Sequence, residues 1–322
     1  MPKENDIGYS NCTQDKQDGL RKFIGFHINI VSAVWKNAVS KGYGHPYPYI
    51  YIDTNAGDGA TRNSEPGSPV IFLQAAMRKN IPFKAFFIER NKANVEKLRT
   101  VVSEFNAERN VEIFEGDNAE IIPELINRLN ELYKTRKPLY GLLYKDPNGE
   151  PNLEMLKAVA VNQKTKYLDL LLRIPTRVLK RKANAPNCGA HRLTEFITEI
   201  KKEHWLIREK YVYDKNHDWT FMFGINYRVN GWEKERFYSI GSEIGQKILE
   251  ELGLTKKERE ALHQTSFGWK DAARQRNGGI CEMCKEKPAT ELHHLRYGPE
   301  RDPRKVIYIC HACHCFLEGK LV

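Results

Sequence analysis

The chain has 322 residues, 41% of them hydrophobic and 29% charged, with a formal net charge of +10. That length carries either one large core or a large domain with a small one, and no apolar run approaches the roughly 18 to 20 residues that span a bilayer, which excludes a helical membrane protein. The basic balance suits a polyanionic partner, DNA or RNA. MPKENDIGYSNCTQDKQDG lacks the apolar core of a secretory signal, so the seven cysteines are expected to stay reduced in the cytoplasm rather than build a disulfide framework.

In FIGFHINIVSAVWKNAVS the apolar residues Phe23, Ile24, Ile28, Val31, Val34, Trp35 and Ala38 fall close to one helical face, with His27 beside it as a partly buried spacer. YPYIYID reads as a strand ending at Asp53, followed by a glycine-rich turn. GSPVIFLQAAM opens a helix, with Ser68 as its cap and Pro69 at the first helical position. FKAFFIE is a second strand ending on Glu89, KANVEKLRTVVSEF a helix, VEIFEGD a strand ending at Asp117, and a longer helix runs through Ile121 to Tyr133. PLYGLLYKDPNG gives a strand ending on Asp146 and Pro147, and YLDLLLRIP gives another. This alternation predicts an α/β, Rossmann-like fold whose mostly parallel sheet is covered on both faces.

From Trp205 to Tyr238 short runs such as WTFMFGINYRV are expected as antiparallel edge strands, with Trp219, Phe221, Trp232 and Phe237 in the core. TKKEREALHQ and WKDAARQRNGG read as helical connectors. The expected domains are 1–250, a connector over 251–268 and a small tail domain over 269–322.

Open parallel sheets bind ligands beyond the carboxyl ends of their strands, and those ends carry Asp53, Glu89, Asp117 and Asp146. Gly57 and Gly59 let the backbone turn sharply and approach a ligand. An acid after the second strand suits ribose hydroxyls, and one after the third suits an adenine amino group. DTNAGDGATRN lacks the third glycine of a dinucleotide loop, and no phosphate-cradling G-x-x-x-x-G-K-[ST] occurs.

DTNAGDG, FFIER, EGDNAE and YKDPNG resemble the glycine loop, second-strand acid, third-strand acid and catalytic-strand motif of class I S-adenosylmethionine-dependent methyltransferases. More narrowly, YIDTNAGDG, GSPVIFLQA, FFIERN and DPNG resemble the three-Cys-motif partner family (TcmP), over residues 1–250. The resemblance implies that Asp53, Gly57, Gly59, Glu89 and Asp117 contact S-adenosylmethionine and that Asp146 faces the transferred methyl. It also implies a partner encoded nearby, a radical-SAM-like three-Cys-motif protein. Adenine-N6 methyltransferases use D-P-P-[YF], whose aromatic stacks on an extruded base; here the stretch is D-P-N-G. After the fifth strand, Arg173, Arg177, Lys180, Arg181 and Lys182 are placed to neutralise phosphates.

Cys281 with Cys284, and Cys310 with Cys313, form two C-x-x-C pairs that suit a tetrahedral structural Zn²⁺. Cys12, Cys188 and Cys315 read as ordinary free cysteines. RNGGICEMC, ELHHLRYG and YICHACH together resemble the zinc-supported HNH endonucleases, the ββα-metal nucleases. That resemblance implies two strands and a short helix presenting Mg²⁺ or another divalent ion to a phosphate, with His293, His314 and Glu318 as ligands. His294 would be the general base, since adjacent strand residues point to opposite sides. Lys305 stands about where the family places an asparagine, and Arg296, Arg301, Arg304 and Lys305 can dock nucleic acid.

Three functions follow. The first is a metal-dependent HNH endonuclease fused to a methyltransferase-like domain that binds S-adenosylmethionine, by analogy a bacterial restriction or anti-phage device. In the second, an S-adenosylmethionine-dependent nucleic-acid methyltransferase uses its zinc module only for binding. The third is a non-catalytic nucleic-acid-binding adaptor.

Overall fold

The computed structural model describes residues 13–40, 47–60, 65–133, 139–146, 154–162, 165–175, 189–200, 202, 204–209, 211–212, 218–226, 232–265, 278–294 and 306–317. The expected contacts at Arg177, Lys180, Arg181, Lys182, Arg296, Arg301, Arg304 and Lys305, the expected ligand Glu318, and Pro147 to Gly149 of the DPNG step lie outside these residues, as does the side chain of His294. The chain divides into two compact units, Met1–Leu262 and His263–Val322.

The first unit is a nine-stranded sheet with helices on both faces. In chain order its elements are α1 (Thr13–Ser40), β1 (Tyr49–Asp53), α2 (Ser68–Arg78), β2 (Phe83–Glu89), α3 (Lys92–Glu104), β3 (Val111–Glu115), α4 (Asn118–Leu132), β4 (Gly141–Lys145), α5 (Glu154–Val161) and β5 (Leu168–Pro175). There follow α6 (Gly189–Glu199), β6 (His204–Arg208), β7 (Tyr211–Val212), β8 (Asp218–Ile225), β9 (Phe237–Ser239), α7 (Glu243–Glu251) and α8 (Lys256–Thr265). The strand order is β3-β2-β1-β4-β5-β8-β6-β9, with β7 also on β8. Strands β1 to β5 pair in parallel, while β8 runs antiparallel between β5 and β6. This is a Rossmann-like sheet with a reversed strand inserted near one edge.

Both faces of the central strands are apolar because both are covered, as parallel sheets require. Tyr49 and Tyr51 of β1 turn toward α1 and α2, and Ile50 and Ile52 toward α4 and α5. The same alternation sends Leu142 and Tyr144 of β4 to the α1 face and Leu143 to the other. Gly141 opens β4 because a Cβ there would stand 1.8 Å from the Ile50 carbonyl oxygen. Trp219, Phe221, Trp232 and Phe237 are core residues, as expected.

Three local expectations are corrected. His27 is not a spacer but fully buried: Nδ1 meets the Tyr49 hydroxyl at 2.7 Å and Nε2 meets Asp169 Oδ2 at 2.8 Å. Ser68 does not cap α2, whose cap is Gly67 with no side-chain bond; its hydroxyl is instead bonded to Asp53. The stretch expected as a connector belongs, as far as Leu262, to the first unit, because Leu252, Leu254 and Leu262 enter the core on the α4 face. Among the described residues no helix is long and apolar enough to cross a membrane.

The second unit is described over 278–294 and 306–317. Its antiparallel pair β10 (Glu291–His294) and β11 (Val306–Ile309) is followed by α9 (His311–Leu317). Its small core contains Cys281, Ala289, Ile309 and Cys310.

Candidate active site at the carboxyl edge of the sheet

The sheet reverses its order of growth between β1 and β4, and the crevice outside the carboxyl ends at such a point is where open α/β sheets bind ligands. Asp53 closes β1 on the same face as Tyr49 and Tyr51, so its carboxylate turns inward beneath the glycine loop and is fully buried. Burial pushes its pKa up to about 7, against the pull of hydrogen bonds from Ser68, the Asn55 amide and the Tyr51 hydroxyl; the Asp146 charge pushes it up further. The Asn55 amide is 3.1 Å away.

Above Asp53 the loop turns through Gly57 (φ 67) and Gly59 (φ 82), both left-handed conformations that glycine adopts without strain. Where a Cβ of Gly57 would stand, no protein atom lies within 4 Å, so the backbone is open to a ligand. Glu89 pins the loop: Oε2 accepts from the Gly57 amide at 2.9 Å, while Oε1 accepts from the Asn91 amide at 2.8 Å. Each carboxylate oxygen offers two lone pairs, so Glu89 keeps acceptor capacity for a ligand hydroxyl. Asp117 is exposed, lies two residues beyond the end of β3, and caps α4 through the Ala119 amide at 2.7 Å. Asn118 then ties that turn back, donating to the Thr54 carbonyl at 2.9 Å.

Asp146 follows β4 and is held by cations. Its Oδ2 accepts from Lys16 Nζ at 2.7 Å and from the Tyr144 hydroxyl at 3.2 Å, and its Oδ1 accepts from Arg173 Nη1 at 3.0 Å. Burial alone would raise its pKa, but Lys16 and Arg173 outweigh that and hold it at about 2. Lys16 reaches the site from the first turn of α1, and it was not legible in the sequence because it lies far from every motif. Lys145, also missed, is 2% exposed beside Met155, Nζ to Sδ 3.9 Å; burial pushes its pKa down to about 8 despite the Asp117 charge. The structure thus places Asp53, Gly57, Gly59, Glu89, Asp117 and Asp146 along one edge of one sheet.

In the second unit, the sulfur atoms of Cys281, Cys284, Cys310 and Cys313 all lie within 4.8 Å of one another, a separation a tetrahedral Zn²⁺ site accommodates. Cys281 and Cys284 precede β10, while Cys310 and Cys313 sit at the start of α9, so the metal would join both ends of the fold. Beside the cluster the His293 and His314 rings stand 5.3 Å apart, and Glu291 bridges His311 Nδ1 and His314 Nδ1 at 2.5 Å each. Among the described residues no other set of three or more His, Cys, Asp or Glu ligand atoms converges on one point.

No family model matches the chain. No curated protein matches it either. Among solved structures, the chain is similar to the O-methyltransferase TomG from Streptomyces achromogenes, in complex with SAM (13% identity, 69% of this chain and 83% of that one, TM-score 0.45). It is also similar to an O-methyltransferase from Bacillus cereus in complex with SAH (11% identity, 68% and 83%, TM-score 0.45). A third is TYW2 of M. jannaschii, in complex with AdoMet (11% identity, 68% and 78%, TM-score 0.39).

Proposed function

We propose that the chain is an S-adenosylmethionine-dependent nucleic-acid methyltransferase whose four-cysteine module, loaded with Zn²⁺, grips the target. The observation that carries this reading is the open, positive-φ backbone at Gly57, clamped by Glu89 over the buried Asp53 at the point where the sheet reverses. Glu89 is placed to accept from ribose hydroxyls and Asp117 from an adenine amino group, with Asp53 supporting the loop from below. When bound, S-adenosylmethionine supplies an electrophilic methyl group on a sulfonium sulfur. The net charge of +10 suits a polyanionic acceptor. Calorimetric titration with S-adenosylmethionine tests the reading: binding that Asp53→Ala abolishes, together with labelled methyl transferred to nucleic acid, is expected. A flat titration of the wild type removes it.

A second reading, metal-dependent cleavage, draws on the second unit. The strand–strand–helix order, the neighbouring edge-to-face rings of His293 and His314, and Glu291 beside them favour a cutting site of the kind the HNH resemblance implies. Plasmid DNA and RNA incubated with Mg²⁺ or Mn²⁺ should then be cut by the wild type and not by His294→Ala with its zinc retained. Intact nucleic acid under every metal ends that reading.

A further inference from the structure

Resting on the methyltransferase reading above, we infer that Lys145 is a cofactor-binding residue, whose ammonium donates to a ring nitrogen of adenine beside the amino group that Asp117 takes. Lys145 closes β4 at 2% exposure, and among the described residues the one acceptor that Nζ meets is Met155 Sδ at 3.9 Å. An ammonium carries three donors, and a thioether accepts weakly. Burying a charge without an oxygen or nitrogen acceptor is costly, and a methionine or leucine would fill the same space without that cost. A ligand that brings an acceptor removes it.

The fold puts this cation at the adenine end of the crevice. Side chains alternate along β4, so Tyr144 and Asp146 turn toward α1 while Leu143 and Lys145 turn toward α4 and α5, where Met155 lies. Asp117 caps α4 on that same face. Within the sheet β3 and β4 stand three strand spacings apart, about 14 Å, but the turn after β3 folds back over the end of β1. Asn118 Nδ2 donates to the Thr54 carbonyl at 2.9 Å, and the Thr54 amide donates to the Tyr144 carbonyl at 3.1 Å. Two hydrogen bonds thus link the residue after Asp117 to the peptide that joins Tyr144 to Lys145, and the Asp117 charge acts on the buried amine.

Adenine matches this pair of groups. Its exocyclic amino group donates, while the ring nitrogens N1 and N7 that flank it accept, so a carboxylate and an ammonium satisfy neighbouring positions on one base. Guanine in the same place would set its O6 against the Asp117 carboxylate.

The test titrates the full chain calorimetrically with S-adenosylhomocysteine and with its 1-deaza and 7-deaza forms, in each of which one flanking nitrogen is replaced by C–H. The wild type should bind one deaza form about tenfold or more weakly than the parent. Lys145→Met should bind the parent with that same loss and no longer distinguish the two. Without ligand, Lys145→Met should melt above the wild type, because a buried charge is gone. Equal binding of all three ligands by the wild type, or unchanged affinity in Lys145→Met, would overturn the inference and leave the methyltransferase reading standing. A lower melting temperature in Lys145→Met would overturn it too, since the lysine would then serve the fold. No binding of S-adenosylhomocysteine by the wild type would remove the methyltransferase reading, and this inference with it.

Discussion

The carboxylate of Glu89 holds the amide of Gly57 at 2.9 Å, joining the end of β2 to the turn after β1. Its other oxygen holds the Asn91 amide at 2.8 Å, so both oxygens accept from backbone that cannot rotate away. Glu89→Gln exchanges one acceptor for an NH₂ that faces an N–H. Charge-assisted bonds of this kind contribute about 1.5 to 3 kcal/mol, so calorimetric affinity for S-adenosylmethionine should fall about tenfold or more. Unchanged affinity would show that the loop does not depend on this clamp.

Asp53 predicts an unusual pH dependence. Its folded pKa of about 7 lies above the ordinary 3.8, so the folded chain holds a proton that the unfolded chain releases. The stabilisation is therefore fully present below about pH 4 and is lost as pH rises through 7, at up to about 1.4 kcal/mol per pH unit. Asp146 has the opposite sign: its stabilisation is present above 3.8 and is lost as pH falls through about 2. Asp53→Asn, which cannot ionise, should gain melting temperature over the wild type between about pH 5 and 8. Parallel melting curves across that range would place the Asp53 pKa near its ordinary value.

Much of the sheet was legible because its strands are short apolar runs ending in acids, and Asp53, Glu89 and Asp146 fall at or just past strand ends as read. The four cysteines were legible from spacing alone. Residues that act across the fold were not. Lys16 and His27 sit on one helix among ordinary polar and apolar neighbours, and their partners Asp146 and Asp169 are 130 and 142 positions away. Ser68 misled for a local reason: a serine before Pro69 reads as a helix cap, but the chain enters α2 through Gly67, leaving the hydroxyl to Asp53.

The second unit should depend on metal. Its described core amounts to Cys281, Ala289, Ile309 and Cys310, too little apolar surface to offset chain entropy without a staple. One Zn²⁺ per chain is expected by elemental analysis, and chelation should open the tail to protease while the first unit keeps its unfolding transition. Cys310→Ser should reproduce the effect of the chelator. Protease resistance of the tail in a zinc-free preparation would show that the sulfurs do not need an ion.

The last prediction concerns the pin between α1 and β5. His27 Nε2 and Asp169 Oδ2 meet at 2.8 Å with both side chains at 1% exposure or less, and the Tyr49 hydroxyl holds the other ring nitrogen. Removing one partner of a buried polar pair strands the other without water, at a cost of about 3 kcal/mol. Asp169→Ala should therefore lower the urea midpoint of the first unit with an unchanged denaturant slope. Asp169→Asn should recover part of the loss, because the amide oxygen still accepts from an imidazole N–H. If His27 only fills space, the alanine and asparagine variants should differ by packing volume alone, and His27→Phe should be as stable as the wild type. If it sets the position of α1 along β5, His27→Phe should fold but weaken the Lys16–Asp146 contact, read as an Asp146 pKa raised above about 2 in carboxylate NMR titration.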